Sequence, residues 1–104
     1  MIEVKELCER YRKLNVPAVS DQLDKNGYWN QIMKYDIRPL KLEHKISGPA
    51  FTMFGNASHD LNKANHLIVN AIDALEPHCI ALLATNGDVH TGHWGELLTN
   101  AAIY

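Results

Sequence analysis

The sequence is poor in cysteine and in aromatic residues, and it has no surplus of charge of either sign. Its 104 residues include two cysteines, and aromatic side chains make up 8% of the chain. Cys8 and Cys79 lie far apart on a predicted helix face and a predicted strand, so we expect two reduced thiols rather than a disulfide. Ten basic and twelve acidic residues are interleaved to a formal net charge of -2, which disfavours an extended basic face for nucleic acid.

Long apolar runs are also missing. No window of about 18 uncharged apolar residues could span a bilayer, and residues 1–6 (MIEVKE) lack the apolar core of a signal peptide. We therefore expect a soluble cytoplasmic protein with neither a membrane nor a nucleic acid as its partner. Hydrophobic residues make up 46% of the chain and charged residues 21%, which is typical of one globular domain over residues 1–104.

The hydrophobic pattern predicts an α/β fold. Apolar residues that recur every three or four positions predict helices, whereas short apolar runs bounded by turn residues predict strands. Pro17 suits a first helical turn and Gly27 the position just beyond a helix end. The predicted helices are residues 2–14, 16–26, 61–75 and 94–104, and the predicted strands are residues 37–40, 46–54 and 79–84, the last of them buried. Pro39 and Pro49 restrict their strands to edges, strand starts or bulges. Ile103 and Tyr104 give the last helix no stop signal, so we expect truncation of a longer reading frame.

The most informative segment is the predicted strand, loop and helix from Ile80 to Leu98. Such a unit directs the free backbone N–H groups of the helix's first turn beyond the end of the strand, where they favour a carboxylate or a phosphate. We call Gly95, Glu96, Leu97 and Leu98 the anion cradle. The alternative is an ordinary turn, capped by Asp88 or Thr91.

Other residues allow further interpretations. Asp88, His90 and His93 form an Asp-x-His-x-x-His cluster with ligand types that suit zinc or iron, but exposed or capping loop histidines are favoured because no complementary pair completes a ligand set. Ser20–Asp21 is expected to cap a helix rather than to supply a nucleophile. In His59–Asp60, Asp60 is expected to cap a helix rather than to contact a substrate. Trp29 and Trp94 are expected to anchor the core or a subunit contact.

Four short blocks of the sequence follow one another in the order of a known family. They are residues 16–24 (VPAVSDQLD, like t-x-x-v-s-D-A-L-d), 37–40 (IRPL), 46–52 (ISGPAFT, like G-P-A-x-T) and 92–102 (GHWGELLTNAA, like a-x-W-G-e-l-l-a-x-A-A). Residues 76–79 (EPHC) depart from the family's usual p-G-d-V turn. On these blocks the chain resembles the N-terminal portion of the RraA-like family, which comprises 4-hydroxy-4-methyl-2-oxoglutarate aldolases and regulators of ribonuclease activity.

The resemblance implies a swivelling β/β/α domain assembled as homo-oligomers, trimers or hexamers, with active sites between subunits. Aldolase members are lyases in which magnesium or manganese holds a 2-oxo acid and stabilises the pyruvate enolate formed by retro-aldol cleavage or by oxaloacetate decarboxylation. By resemblance, the substrate carboxylate would be bound by Gly95, Glu96, Leu97 and Leu98.

The resemblance also implies what these 104 residues lack. The family places an Arg–Asp pair roughly twenty residues beyond the cradle glycine, and Tyr104 ends the sequence before that point. We therefore expect no catalytic residue and no metal ligand in this incomplete domain, and no lyase activity from the chain alone. The alternatives are a non-catalytic regulator that binds other proteins, and a shortened chain without a function of its own.

Overall fold

A computed structural model describes residues 1–56 and 58–103 of the chain. The chain forms two units that divide after Gly48. The predicted last helix residue, Tyr104, lies outside the described residues.

The first unit contains two helices, α1 (Val4–Arg12) and α2 (Val16–Lys25). Helix α1 is amphipathic and buries Cys8, which is 7% exposed. In α2, Pro17 lies in the first turn, where its missing N–H costs no helical hydrogen bond. Gly27 follows the helix with a φ of 84°, a left-handed conformation that glycine adopts without strain. The predictions of both helices are confirmed.

The segment after α2 corrects two strand predictions. Residues 37–40 form no strand, and Ile37 instead donates its amide to Lys34 O at 3.1 Å in a turn. Of residues 46–54, only those after Pro49 become a strand. Pro39 has no N–H for a ladder, and the described residues offer no third strand beside which residues 37–40 could pair.

The second unit is built around a two-stranded parallel sheet. Strand β1 (Ala50–Phe54) leads through helix α3 (Leu61–Asp73) to β2 (Ile80–Ala84), and helix α4 (Glu96–Ile103) follows and contacts α3. The strands pair from Ala50 with Ile80 to Phe54 with Ala84. Parallel strands need a crossover connection, and here α3 supplies it. This mixed arrangement of helices and strands is compatible with the α/β prediction.

Both ends of α3 follow from local chemistry. The Asp60 carboxylate accepts a hydrogen bond from the Lys63 amide at 3.0 Å, which confirms Asp60 as the helix cap. After the helix, the Cys79 amide donates to Glu76 O at 3.3 Å in a turn. His78 in that turn has a φ of 68°, so the segment reaches a left-handed conformation without a glycine.

Burial differs from the prediction for β2. Ile80 and Leu83 are half-buried and the other three residues of the strand are exposed, Leu82 to 36%, so the prediction of a buried strand is wrong. The strand has a neighbour on one edge within the described residues, and the helices leave its faces partly open. Cys8 and Cys79 are both free thiols, the first buried and the second half-buried. None of the described helices is long and apolar enough to cross a membrane.

Candidate carboxylate-binding site

The loop of residues 85–95 joins the carboxyl end of β2 to the start of α4. It turns sharply at Asn86 and Gly87, whose φ angles of 52° and 79° are both left-handed. Asparagine and glycine are the residues that adopt this conformation most readily. The Asp88 amide then donates to Thr85 O at 3.0 Å and closes the turn.

Asp88 holds the middle of this loop. Its Oδ1 atom accepts hydrogen bonds from the His90 amide at 2.9 Å and from the Thr91 amide at 3.3 Å. The first of these bonds, followed by the bond from Thr91 and the charge of His93, lowers the pKa of Asp88 below its ordinary value, although burial acts in the opposite direction. The carboxylate therefore closes a turn within the loop, and it does not cap α4.

The second carboxylate oxygen of Asp88 faces His93. The distance from Asp88 Oδ2 to His93 Nε2 is 3.2 Å, and the side chains are 13% and 19% exposed. Asp88 Oδ2 is itself shielded from solvent and accepts no hydrogen bond from the described residues. We call these two side chains the Asp88–His93 clasp.

The His93 ring also reaches the end of β1. Its Nδ1 atom lies 3.8 Å from the point that a Cβ atom on Gly55 would occupy. Gly55 directly follows β1, and its amide donates to Ala84 O at 2.8 Å. The loop thus contacts the carboxyl ends of both strands, the edge at which ligands bind in open parallel sheets.

A hydrogen bond between two asparagines joins the strand ends. Asn86 Nδ2 donates to Asn56 Oδ1 at 2.8 Å. The register that pairs Phe54 with Ala84 brings these residues side by side two positions beyond the sheet. The start of the loop is therefore tied to β1 by a side-chain bond as well as by the ladder.

The residues of the proposed anion cradle lie at the start of α4, which spans Glu96–Ile103. Gly95 O accepts the first helical hydrogen bond, from the Thr99 amide at 3.0 Å, and the helix begins at Glu96. Within the described part of the chain, the amides of Glu96, Leu97 and Leu98 have no carbonyl or side-chain acceptor. Leu97 is 85% exposed, so solutes can reach this turn.

A second contact fixes the cradle to the loop. Trp94 Nε1 donates to Thr99 Oγ1 at 2.9 Å, and the same hydroxyl donates to Gly95 O at 3.0 Å. Trp94 is 41% exposed and Trp29 is 66% exposed, so neither indole is a core anchor within its unit. For Trp94, the structure replaces the expected core role with a bond between the loop and the helix.

The remaining candidates do not join this site. Ser20 and Asp21 lie inside α2, whose cap position is Asn15, so the prediction of a cap at this pair is wrong. The pattern failed because Val16 and Pro17 already form the first turn, five residues earlier than a cap at Ser20 requires. His90 contributes its backbone amide to the loop, and its side chain is exposed.

The donor atoms at the site do not form a metal-binding set. Asp88 and His93 come together, but nowhere in residues 1–56 and 58–103 do three His, Cys, Asp or Glu side chains converge on one point. A concavity of ≈ 640 Å³ lies between α1 and α2 in the first unit. Its lining is mainly apolar, so it lacks the convergent polar groups of a carboxylate site.

Comparison with known proteins identifies the family. A family model described as RraA-like (Aldolase/RraA) matches residues 16–104. The chain belongs to the RraA-like family. It is 31% identical over 97 residues to Protein DlpA of Legionella pneumophila subsp. pneumophila (strain Philadelphia 1), a match that covers 93% of this chain and 15% of DlpA. The chain thus spans less than a sixth of that relative, and no solved structure matches it.

Membership of the RraA-like family agrees with the four sequence blocks, but sequence reasoning missed several residues that shape the site. Thr99, Gly55 and the Asn56–Asn86 pair carry no motif of their own. The Asn86–Gly87 dipeptide is a signal from which the tight turn could have been predicted. The partners of Trp94 and His93 depend on side-chain directions that only the folded loop determines.

Proposed function

We propose that this chain provides the carboxylate-binding part of a divalent-metal-dependent 2-oxo-acid aldolase or decarboxylase. The observation that carries the proposal is that the amides of Glu96, Leu97 and Leu98 find no acceptor among residues 1–56 and 58–103, at the start of a helix beyond the end of a parallel strand. Such amides and the helix dipole favour an anion. Membership of the RraA-like family supports a 2-oxo acid as the ligand and a 4-hydroxy-4-methyl-2-oxoglutarate or oxaloacetate type of reaction.

The swivelling β/β/α domain and the assembly into trimers or hexamers belong to the same proposal. A site between subunits would combine the anion cradle of one chain with groups from another. The exposed faces of the two-stranded sheet favour such association, because unpaired strand edges and apolar surface are stabilised when a neighbour covers them.

Magnesium or manganese does not fit the donor atoms of this chain alone. A hard divalent ion needs several oxygen ligands, and no three candidate ligands converge among the described residues. We therefore expect the 104-residue polypeptide, assayed with magnesium and oxaloacetate, to release no pyruvate above the rate with magnesium alone. Metal-dependent release by this polypeptide would contradict that expectation.

The test of carboxylate binding uses proline to remove one amide. Proline is tolerated in the first helical turn, so Glu96→Pro should delete one N–H of the cradle while α4 persists. Glu96→Ala is the matched control, because it removes the same carboxylate and keeps the amide. Oxalate is the probe, and backbone amide chemical shifts of residues 96–98 are the measurement.

We expect oxalate to shift the three amides in the unmodified chain and in Glu96→Ala. A hydrogen bond to a charged group contributes about 1.5 kcal/mol or more, so Glu96→Pro should bind oxalate roughly tenfold more weakly than Glu96→Ala. Equal affinities in the two variants, or no shift of residues 96–98 in the unmodified chain, would refute the cradle.

A non-catalytic regulator that binds other proteins is the second candidate. The supporting observation is the apolar concavity of the first unit, where Leu7 is 41% exposed and Tyr11 is 47% exposed. Exposed apolar surface of this kind often marks a protein-binding site. A chain that binds no oxalate but associates with a protein partner through α1 and α2 would favour this candidate over the enzyme.

A further inference from the structure

Among the contacts of the loop, the one between Asp88 and His93 depends most on charge. Asp88 Oδ1 accepts hydrogen bonds from two backbone amides, so this oxygen has its hydrogen-bond partners within the loop. Asp88 Oδ2 has none, although it is shielded from solvent. His93 Nε2 lies 3.2 Å away, within ion-pair distance of this oxygen. The coulombic part of the attraction requires a protonated imidazole.

The surroundings of His93 contain no substitute for this charge. Among the described residues, Asp88 is the one acidic side chain within ion-pair distance of the ring. Within the loop, the uncharged Thr91 Oγ1 lies 3.5 Å from Nε2. Beyond the end of β1, the ring approaches Gly55, which has no titratable side chain.

Loss of the His93 proton would leave a shielded carboxylate oxygen without a compensating charge. A buried polar group without a partner is unfavourable, and a buried charge is more so. The loop can relieve this by opening until Asp88 Oδ2 reaches water. Opening would withdraw the His93 ring from Gly55, and with it the segment that leads through Trp94 into α4.

We propose that the Asp88–His93 clasp is a protonation-dependent positioning device, closed when His93 is charged and open when it is neutral, and that closure holds the anion cradle against the sheet edge. The clasp itself is inferred from the geometry of the loop alone. Its effect on ligand affinity rests on the proposed function of the cradle, and the experiment separates the two.

The first measurement follows the backbone amide shifts of His90 and Thr91 from about pH 5 to about pH 8, the window in which histidine side chains ordinarily titrate. These amides report directly on Asp88, because both donate to its Oδ1 atom. In the unmodified chain we expect both signals to titrate with the same midpoint as the His93 ring. Amides that stay constant while the ring titrates would overturn the clasp.

Two variants break the clasp without removing the loop's hydrogen bonds to Oδ1. His93→Gln replaces the imidazole with a neutral donor, and Asp88→Asn keeps an oxygen for the amides but removes the charge. Either variant should abolish the titration of the Thr91 amide. His90→Gln is the matched control, because it removes a histidine of the same loop whose side chain takes no part in the clasp. The titration should persist in that control.

The second measurement is oxalate affinity, with oxalate as the probe at the two ends of this pH window. Coupled sites commonly change each other's affinity by about fivefold or more, so we expect at least that loss of affinity toward pH 8 in the unmodified chain. In His93→Gln the loss should vanish, and in His90→Gln it should remain. If oxalate fails to bind at either pH, the proposed function fails, while the amide titration still decides the clasp. If oxalate binds equally at both ends and the Thr91 amide titrates, the clasp does not position the cradle.

Discussion

The bond between Trp94 and Thr99 offers a sharp test of how the cradle is held. The indole N–H donates to the Thr99 hydroxyl at 2.9 Å, and that hydroxyl donates onward to Gly95 O at 3.0 Å. The two bonds link the end of the loop to the first turn of α4. If this link stabilises the first turn, its removal should speed local opening of the helix start.

The perturbation is a pair of near-isosteric substitutions. Trp94→Phe removes the indole N–H and keeps an aromatic ring, whereas Thr99→Val removes the hydroxyl and keeps the branched shape. A neutral hydrogen bond contributes about 1 kcal/mol, and partial exposure of Trp94 favours the lower half of the usual range. A change of about 1 kcal/mol corresponds to roughly a fivefold change in an opening equilibrium.

The assay is amide hydrogen exchange at Thr99, whose N–H bonds to Gly95 O. Trp94→Phe should speed this exchange by up to about fivefold. Thr99→Val should have a larger effect, because it removes both hydroxyl bonds. The double variant should match Thr99→Val alone, since the bond to the indole is already lost.

The control is Thr99→Ser, which retains the hydroxyl and should restore slow exchange. Trp29→Phe controls for loss of an indole elsewhere, because Trp29 lies in the other unit. Additive effects of Trp94→Phe and Thr99→Val would show that the two residues act independently and would refute the reasoning.

Three further predictions concern the turns around the site and the cap of α3. Asp60→Ala should destabilise α3 by about 1 kcal/mol, and Asp60→Asn should not, because only the alanine loses the bond from the Lys63 amide; urea denaturation measures both. Gly87→Ala should lower stability by about 1 kcal/mol because of its φ of 79°, whereas Gly92→Ala, which meets no neighbouring atom, should be tolerated in the same assay. The lowered pKa of Asp88 means that its contribution is present above the ordinary carboxyl pKa and is lost as the pH falls through the lower folded value. Asp88→Asn should therefore remove the acid transition of the Thr91 amide, and a transition that persists would assign it to another group.

Elements with local signals could be predicted from the sequence. Asp60 before an apolar stripe marked the start of α3, and Gly27 marked the end of α2, because a cap depends on residues within one turn. Residues 37–40 were wrongly predicted as a strand, because pairing depends on a neighbour that the local pattern does not reveal. The burial of β2 failed for the same reason, since an apolar run is covered only where other elements pack on it.

The candidate site likewise has features that local sequence predicts and features that depend on distant residues. The helix start that follows β2 was predictable, because a helix after a strand always presents free amides at its first turn, and the structure begins α4 at Glu96. Its supports were not predictable, because they follow from the register of two strands far apart in the sequence. The pairing of Phe54 with Ala84 brings Gly55 and Asn56 beside the residues that open the loop. From this one register follow both the Asn56–Asn86 bond and the space that His93 occupies over Gly55. A shift of one residue would place a side chain other than Asn56 opposite Asn86 and separate the clasp from the sheet, so the chemistry of the loop depends on β1 as much as on its own sequence.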